Sequence, residues 1–332
     1  MDLYGGLPQS DIYELGEESS KIPCEILESN FVIVGASGFL GKWLSAYLAY
    51  MNRESIFRGS ITLVTRSPLL VSKELSKFES KTNKVIDSSR ISKNLFSHLT
   101  SDRTVIIYAA TSTAMSGKYI NSESTKVVEL AQKVVDSLST ELNHFVHLSS
   151  GGVYDSNARL LKSIPADQDI QIDSSDQYLH EKIILENWSK SKAKEGLFSV
   201  QNPRLFSFYG PGLQLDRHFA IGEFIRKAAA GLPIEVKGNP RNLRSYQYPT
   251  DAIIQIIAQC GSLPPQHSQI GSSVVYTIEE VAHLIGKLFN VEVLVESENG
   301  KKIDNYVPGD VPKFGERSLE QGLKTWFEWL KI

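Results

Sequence analysis

From about residue 30 onward, apolar positions follow two alternating rhythms. Phe31-Val32-Ile33-Val34 is a short apolar run ended by glycine, the pattern of a strand buried on both faces. Leu40 to Met51 follows with Leu44, Tyr47, Leu48 and Met51 at helical spacing. Ile61 to Val64 and Val105 to Tyr108 repeat the strand pattern. Val127 to Leu138 then sets Val127, Leu130, Ala131, Val134, Val135 and Leu138 along one side of a helix. Phe145 to Leu148 predicts another strand, Tyr178 to Trp188 another helix, and Phe198 to Gln201, leading to Arg204, a further strand. Strand alternating with helix predicts an α/β fold with a doubly wound, Rossmann-like parallel sheet covered on both faces.

The rhythm weakens after residue 205 into Gly/Pro-rich pieces and isolated helical stretches such as Ile278 to Leu288. Residues 1–28 are polar and mixed, with a short helical pattern around Ile12, Leu15 and Ile26. The expected division is an N-terminal extension over 1–28, a dinucleotide-binding domain over 29–204, and a smaller C-terminal α/β substrate domain over 205–332. Segments near 245–260 are expected to return to the first domain. No internal repeat or low-complexity tract interrupts this plan.

At 332 residues the chain is long enough to bury a large core. A net charge of -3, with Lys and Arg scattered, gives no electrostatic reason to expect nucleic acid or an anionic membrane as partner. Cys24 and Cys260 are the two cysteines, so a disulfide framework is excluded by count. They read as buried thiols of a reducing compartment. No Cys/His cluster suggests a metal. The first residues lack a basic region followed by an apolar stretch, and no run approaches a membrane span. A cytoplasmic location is expected.

Between the first strand and first helix lies Gly35-Ala36-Ser37-Gly38-Phe39-Leu40-Gly41. Glycines here permit a tight turn, close approach of a pyrophosphate and close helix–strand packing, while the helix N-terminus offers unpaired N–H groups to phosphate. The loop therefore predicts dinucleotide binding through Gly35, Ser37, Gly38, Phe39, Leu40 and Gly41. An NAD-binding fold usually ends its second strand in an acid that holds the ribose 2′-hydroxyl. Here that strand ends Thr65-Arg66-Ser67, and Arg66 is suited to pair with a 2′-phosphate. NADP is favoured, with NAD the alternative.

Tyr178 and Lys182 stand one helical turn apart on one face. A phenol ionises near pH 10, and a neighbouring ammonium stabilises its phenolate and brings proton exchange toward working pH. Lys182 is also able to hold the nicotinamide ribose. Ser149-Ser150-Gly151-Gly152 ends the strand Phe145 to Leu148, at the edge of the sheet where ligands bind in such folds. Ser150 there is able to hydrogen-bond the oxygen of a carbon that exchanges hydride.

These pieces, with Tyr108-Ala109-Ala110, Asn121 and Thr125, Val153-Tyr154, Glu186, Asn202-Pro203-Arg204, Tyr209-Gly210-Pro211-Gly212, Arg244-Ser245-Tyr246-Gln247-Tyr248 with Asp251, and Ser318 to Leu323, occur in one collinear order. Over roughly residues 30 to 330 the chain resembles the extended short-chain dehydrogenase/reductase family, also called the NAD-dependent epimerase/dehydratase family. The resemblance implies catalytic Ser150, Tyr178 and Lys182, cofactor contacts at Ala109 and Ala110, and Asp87 as the acid near the adenine. It implies a nucleotide-diphosphate sugar as substrate, with Ser207 and Arg244 in its cleft, and a homodimer built on the helices Val127–Leu138 and Tyr178–Trp188. Two positions depart from the family pattern. Ser207 stands where relatives place an Asn, and Asn305 stands where an arginine often precedes Tyr306-Val307-Pro308, so Arg217 or His218 is the expected additional phosphate grip. The 4,6-dehydratases of the family carry an Asp-Glu pair where this chain has Gly151-Gly152, which supplies neither acid nor base. The expected activity is a 4-ketoreductase of an NDP-4-keto-hexose or its 6-deoxy form, with an NDP-sugar 4-epimerase as the alternative. A dehydratase, a non-sugar carbonyl reductase and a non-catalytic dinucleotide-binding regulator rank behind them.

Overall fold

The computed structural model describes all residues except 112–124, 172, 173, 175, 216–219, 262–268, 297–300, 312–315 and 332. Six strands, β1 (Asn30–Val34), β2 (Ile61–Thr65), β3 (Asn83–Asp87), β4 (Arg103–Tyr108), β5 (Glu141–His147) and β6 (Ser199–Gln201), form one sheet in the order β3-β2-β1-β4-β5-β6. Every pairing is parallel. All five residues of β1 and of β2 are buried. Alternation decides where their side chains go, because successive residues of a strand face opposite sides. Phe31 and Ile33 join the core beneath helix α2 (Phe39–Arg53), with Leu44, Tyr47 and Leu48. Val32 and Val34 join the core on the other face, with Ala131 and Val134 of α3 (Lys126–Ser137) and Leu185 of α4 (Gln177–Lys194). The molecule is thus an α/β fold with a doubly wound parallel sheet. β3 is an edge strand that the hydrophobic pattern did not predict, and it sets Asp87 in register with Thr65.

The order reverses between β1 and β4, so the connections leaving these strands diverge at one edge, where such folds form their crevice. Beyond that edge, Ser149–Ser150, Arg204–Leu205 and Gln269–Ile270 pair in parallel. Leu243–Gln247 pairs with Ser207–Phe208 and with Val275–Thr277, and Ile234–Val236 pairs with Val293–Val295. Near the N-terminus, helix α1 (Gln9–Glu17) buries Ile12 and Leu15, and it packs on α2 and on α5 (Pro249–Ala258). Tyr248 donates to Asp11 at 2.6 Å, and Arg317 donates to the other oxygen of the same carboxylate at 2.8 Å. The cysteine expectation holds only in part. Cys260 is buried, but Cys24 opens a short helix, Cys24–Leu27, and is exposed. Among the described residues no helix is long and apolar enough to cross a membrane, and no group of acids, histidines and cysteines is arranged to hold a metal.

Candidate active site

The glycine loop is held by backbone. Gly35 has φ +92°, and a Cβ there would lie 2.7 Å from the Ala110 nitrogen. A Cβ on Gly41 would lie 2.1 Å from the Gly35 carbonyl oxygen, so α2 meets the loop at a distance only glycine tolerates. Gly38, by contrast, has only that same oxygen near its Cβ position, at 3.3 Å. Gly38 precedes the first turn of α2 and no side chain caps it, so the N–H groups of Phe39, Leu40 and Gly41 have no helical acceptor. Ser37 accepts from the Thr65 hydroxyl at 2.8 Å, which ties the loop to the end of β2. Ala109 donates to the Val34 carbonyl at 2.8 Å and, with Ala110, forms the neighbouring wall. These features fit the diphosphate of a dinucleotide: a cradle of backbone donors, kept open by glycine, at a helix N-terminus. Arg66 is exposed just beyond Thr65. The Asp87 carboxylate accepts from the Ser89 backbone N–H and hydroxyl, which lowers its pKa.

Ser150, Tyr178 and Lys182 come together at the same edge of the sheet. Asp176 caps α4 by accepting from the Leu179 N–H at 3.2 Å, and Tyr178 lies in the first turn. Lys182, one turn on, is buried, and its Nζ donates to the Leu148 carbonyl at 2.7 Å. That Nζ stands 5.7 Å from the centre of the Tyr178 ring. Burial pulls the Lys182 amine down to about 8, opposed by Glu181 and Glu186. Burial pushes the half-buried Tyr178 phenol up, and a hydrogen bond with Ser150 opposes it. The Ser150 hydroxyl also accepts from the Gly152 N–H at 3.1 Å.

Beneath this group lies a buried ionic support. Ser149 donates to Glu186 at 2.6 Å, Arg204 grips both oxygens of that carboxylate at 3.2 and 3.1 Å, and Lys190 approaches at 2.9 Å. Glu186 is therefore held down to about 2 despite its burial. His147 Nδ1 donates to the Asn202 amide oxygen at 3.0 Å, and burial takes the His147 pKa to about 3, so the ring stays neutral. Its Nε2 has no partner among the described residues.

Tyr306 is the residue that sequence reasoning left out of the site. Its hydroxyl lies 3.4 Å from Ser150 Oγ and donates to the Leu205 carbonyl at 3.2 Å. Its ring lies 4.7 Å from that of Phe206, and the Arg159 guanidinium stands 5.1 Å above it. Arg159 and Arg244 both bind Asp304, at 2.6 and 3.0 Å. Arg244 and Asp304 line a cavity of about 280 Å³ with Phe224, Val236, Asn239 and Asn242. Ser207 is half-buried on a short strand in register with Tyr246. Arg217, His218 and Asn121 lie outside the described residues.

A parallel doubly wound sheet with a glycine turn after its first strand, and a Ser–Tyr–Lys group at the same edge, defines a dinucleotide-binding α/β protein of the short-chain dehydrogenase/reductase type. Residues 31–271 match the model of the NAD dependent epimerase/dehydratase family, and the chain belongs to that family. Among solved structures it is similar to an NAD dependent NDP-hexosamine 5,6-dehydratase, TunA, involved in tunicamycin biosynthesis, at 17% identity and TM-score 0.69, covering 92% of this chain and 98% of that one. It is similar to the UDP-glucuronic acid 4-epimerase of Bacillus cereus, solved with UDP-glucuronic acid and NAD, at 18% identity and TM-score 0.69, covering 91% and 99%. The UDP-glucose 4-epimerase of Thermotoga maritima, solved with UDP-glucose, is similar at 16% identity and TM-score 0.64, covering 91% and 98%. At these identities the likeness is one of fold.

Proposed function

We propose that the chain is a nicotinamide-dependent oxidoreductase of nucleotide-diphosphate sugars, acting as a 4-ketoreductase on an NDP-4-keto-hexose or its 6-deoxy form. The observation that carries this reading is the grouping of Ser150, Tyr178 and Lys182 on the sheet edge that also bears the glycine loop. The bound dinucleotide would supply the hydride to the ketone carbon. Tyr178 would give its proton to the ketone oxygen, Ser150 would hold that oxygen, and the Lys182 ammonium would stabilise the phenolate left behind. Gly35, Ser37, Gly38, Phe39, Leu40 and Gly41 would hold the diphosphate of the cofactor, with Ala109 and Ala110 beside it. We assign Arg66 to the 2′-phosphate of NADP because no acid follows β2.

The cavity bounded by Phe224, Val236 and Arg244 suits the nucleotide of the substrate, its apolar wall against the base and its arginine toward the diphosphate. In this reading residues 205–332 form mainly the substrate half, and Ser207 faces the sugar cleft. The expected homodimer would use α3 and α4, which already pack together through a Trp188–Gln132 hydrogen bond of 3.2 Å.

Packing argues against a 4,6-dehydratase. A Cβ on Gly151 would lie 2.8 Å from the Phe206 ring, and one on Gly152 would lie 2.7 Å from Leu179 Cδ2. An acid pair at these positions would have to displace both neighbours. The second reading is a 4-epimerase, which uses the same proton relay in both directions and keeps its cofactor; two of the similar structures bear that activity in their own names.

The test is a stopped assay of purified protein with an NDP-4-keto-6-deoxyhexose and NADPH. Consumption of NADPH matching the product formed is expected, and Tyr178→Phe should abolish turnover while leaving dinucleotide affinity within about threefold. Release of tightly bound NAD on denaturation, with interconversion of C4 epimers and no net NADPH use, would replace the reductase by the epimerase. Full turnover by Tyr178→Phe would remove both readings.

A further inference from the structure

Two arginines of the cleft share one carboxylate. Arg159 Nη2 and Arg244 Nη2 donate to the same oxygen of Asp304, at 3.2 and 3.0 Å. Among the described residues Asp304 is the acid that meets either guanidinium, so one negative charge faces two positive ones. The fit is also incomplete. Arg159 Nε lies 2.6 Å from the second Asp304 oxygen, yet its N–H is out of line with that oxygen and has no other acceptor among the described residues. Nor is the carboxylate needed to hold the two segments together. Asn305 donates its N–H to the Arg159 carbonyl at 2.8 Å and its amide to the Leu161 carbonyl at 2.9 Å. Ile164 donates to the Val307 carbonyl and accepts from the Gly309 N–H, at 2.8 and 2.9 Å. These bonds join 159–164 to 305–309 whatever the Asp304 side chain does.

We propose that Asp304 is an internal stand-in for the substrate's diphosphate, and that Arg159 joins Arg244 in binding that diphosphate when Asp304 turns away. This rests on the nucleotide-sugar reading above and deepens it. Position along the cleft sets the order of contacts. Arg244 and Asp304 line the cavity assigned to the nucleotide. Arg159 lies beyond Asp304, over the Tyr306 ring, whose hydroxyl is 3.4 Å from Ser150 Oγ. A diphosphate running from base to sugar therefore meets Arg244 with its first phosphate and Arg159 with its second.

Asp304 is able to yield because its side chain is 43% exposed, and ion pairs open to water contribute little. A guanidinium binds phosphate through two parallel N–H donors, and a diphosphate ester brings a charge on each phosphate where Asp304 brings one in all. The exchange thus favours a ligand with two adjacent phosphates. A ligand with one phosphate reaches Arg244 alone and leaves Arg159 with Asp304. The other acids of the cavity wall do not compete for these arginines. Glu223 and Glu235 both approach Lys227, at 3.9 and 3.1 Å, and Glu235 also pairs with Lys237 at 3.0 Å.

The experiment is isothermal titration of the full chain, with the dinucleotide site filled by NADPH. The probes are inorganic pyrophosphate and UDP, dTDP and GDP, each nucleotide beside its monophosphate. Asp304→Asn keeps the shape of the side chain and removes the competing charge, so pyrophosphate and the nucleoside diphosphates should bind about fivefold tighter. A purely structural Asp304 predicts the opposite sign, a looser cleft and weaker binding. Arg159→Gln loses one charge-assisted contact and should weaken the diphosphates about tenfold or more, with the monophosphates changed less than about twofold. Should Arg159→Gln fail to fold, Asp304→Asn carries the test alone. Unchanged or weaker pyrophosphate binding by Asp304→Asn overturns the proposal, as does wild-type diphosphate affinity in Arg159→Gln or no pyrophosphate binding by any of these proteins. Pyrophosphate bound with the expected dependences, while none of the nucleoside diphosphates binds, would keep the arginine pair and strike the nucleotide-sugar reading instead.

Discussion

Arg66 projects from the end of β2, beyond Thr65, whose hydroxyl is committed to Ser37. Its neighbours Thr65 and Ser67 carry no charge, and Asp87 on the adjacent strand already accepts two hydrogen bonds from Ser89. A cationic group with this surrounding distinguishes a phosphate from a hydroxyl by charge. Arg66→Ala should therefore weaken NADPH about tenfold or more and NADH by less than about twofold, as isothermal titration of the two cofactors would measure. Equal weakening would mean that Arg66 is a bystander on the rim. Ser150, Tyr178 and Lys182 were legible in the sequence because their spacing is local, a strand end and one helical turn. Tyr306 was not. It reaches Ser150 from the far end of the chain, in a segment held by bridges of Arg244 with Tyr306 and of Ile164 with Pro308. Nor did sequence foretell that Asp304, beside it, engages both Arg159 and Arg244.

Elements were legible in proportion to their burial. β1, β2 and the interior of β4 are buried throughout and read as unbroken apolar runs. β3 pairs on one side only and mixes buried and half-buried positions with Asn83, Lys84 and Asp87 among them, so its composition resembles a loop. The short helix Pro68–Glu74 buries Val71 alone of its residues, too little to leave a helical stripe. Helix boundaries moved outward: α4 runs from Gln177 to Lys194, past Trp188, because its second half continues on a polar face carrying Lys190 and Lys192. The turn between β1 and α2 follows from steric limits, and these give a prediction. Gly41→Ala would set a methyl 2.1 Å from the Gly35 carbonyl oxygen, backbone against backbone, so α2 must move away from the loop. Overpacking of this kind costs about 1–3 kcal/mol. The thermal midpoint should fall, and dinucleotide affinity should fall with it because the first-turn N–H groups move. Gly38→Ala, with 3.3 Å to the same oxygen, should leave stability much closer to wild type. A Gly41→Ala protein with unchanged midpoint and unchanged cofactor affinity would contradict this account of the loop.

Across the whole molecule, the N-terminal helix, the start of α5 and the segment entering α6 (Leu319–Leu330) converge on one set of charges. Asp11 takes both Tyr248 and Arg317, Arg317 also reaches Glu14, and its backbone N–H donates to Asp251 at 3.1 Å. Asp251 is partly buried, and Arg317 offsets that burial only in part. Burial raises its pKa from 3.8 to about 7, with Glu316 and Glu14 adding to the rise and Arg317 opposing it. A carboxyl that binds its proton more tightly folded than unfolded favours the fold most at pH below its unfolded value. That contribution disappears as pH climbs from 3.8 through about 7, and above 7 it is gone. Glu186 behaves in the opposite sense, since a pKa lowered from 4.5 to about 2 stabilises the fold above 4.5 and is lost in acid. Asp251→Asn removes the first titration and leaves the second. Relative to wild type, the variant should therefore gain thermal midpoint steadily as pH rises from about 4 to 7, and the difference between the two should be constant above that window. Scanning calorimetry at several pH values measures it directly. A difference that does not change between pH 4 and 7 would show that Asp251 is ionised in the fold throughout, with Arg317 compensating its burial in full.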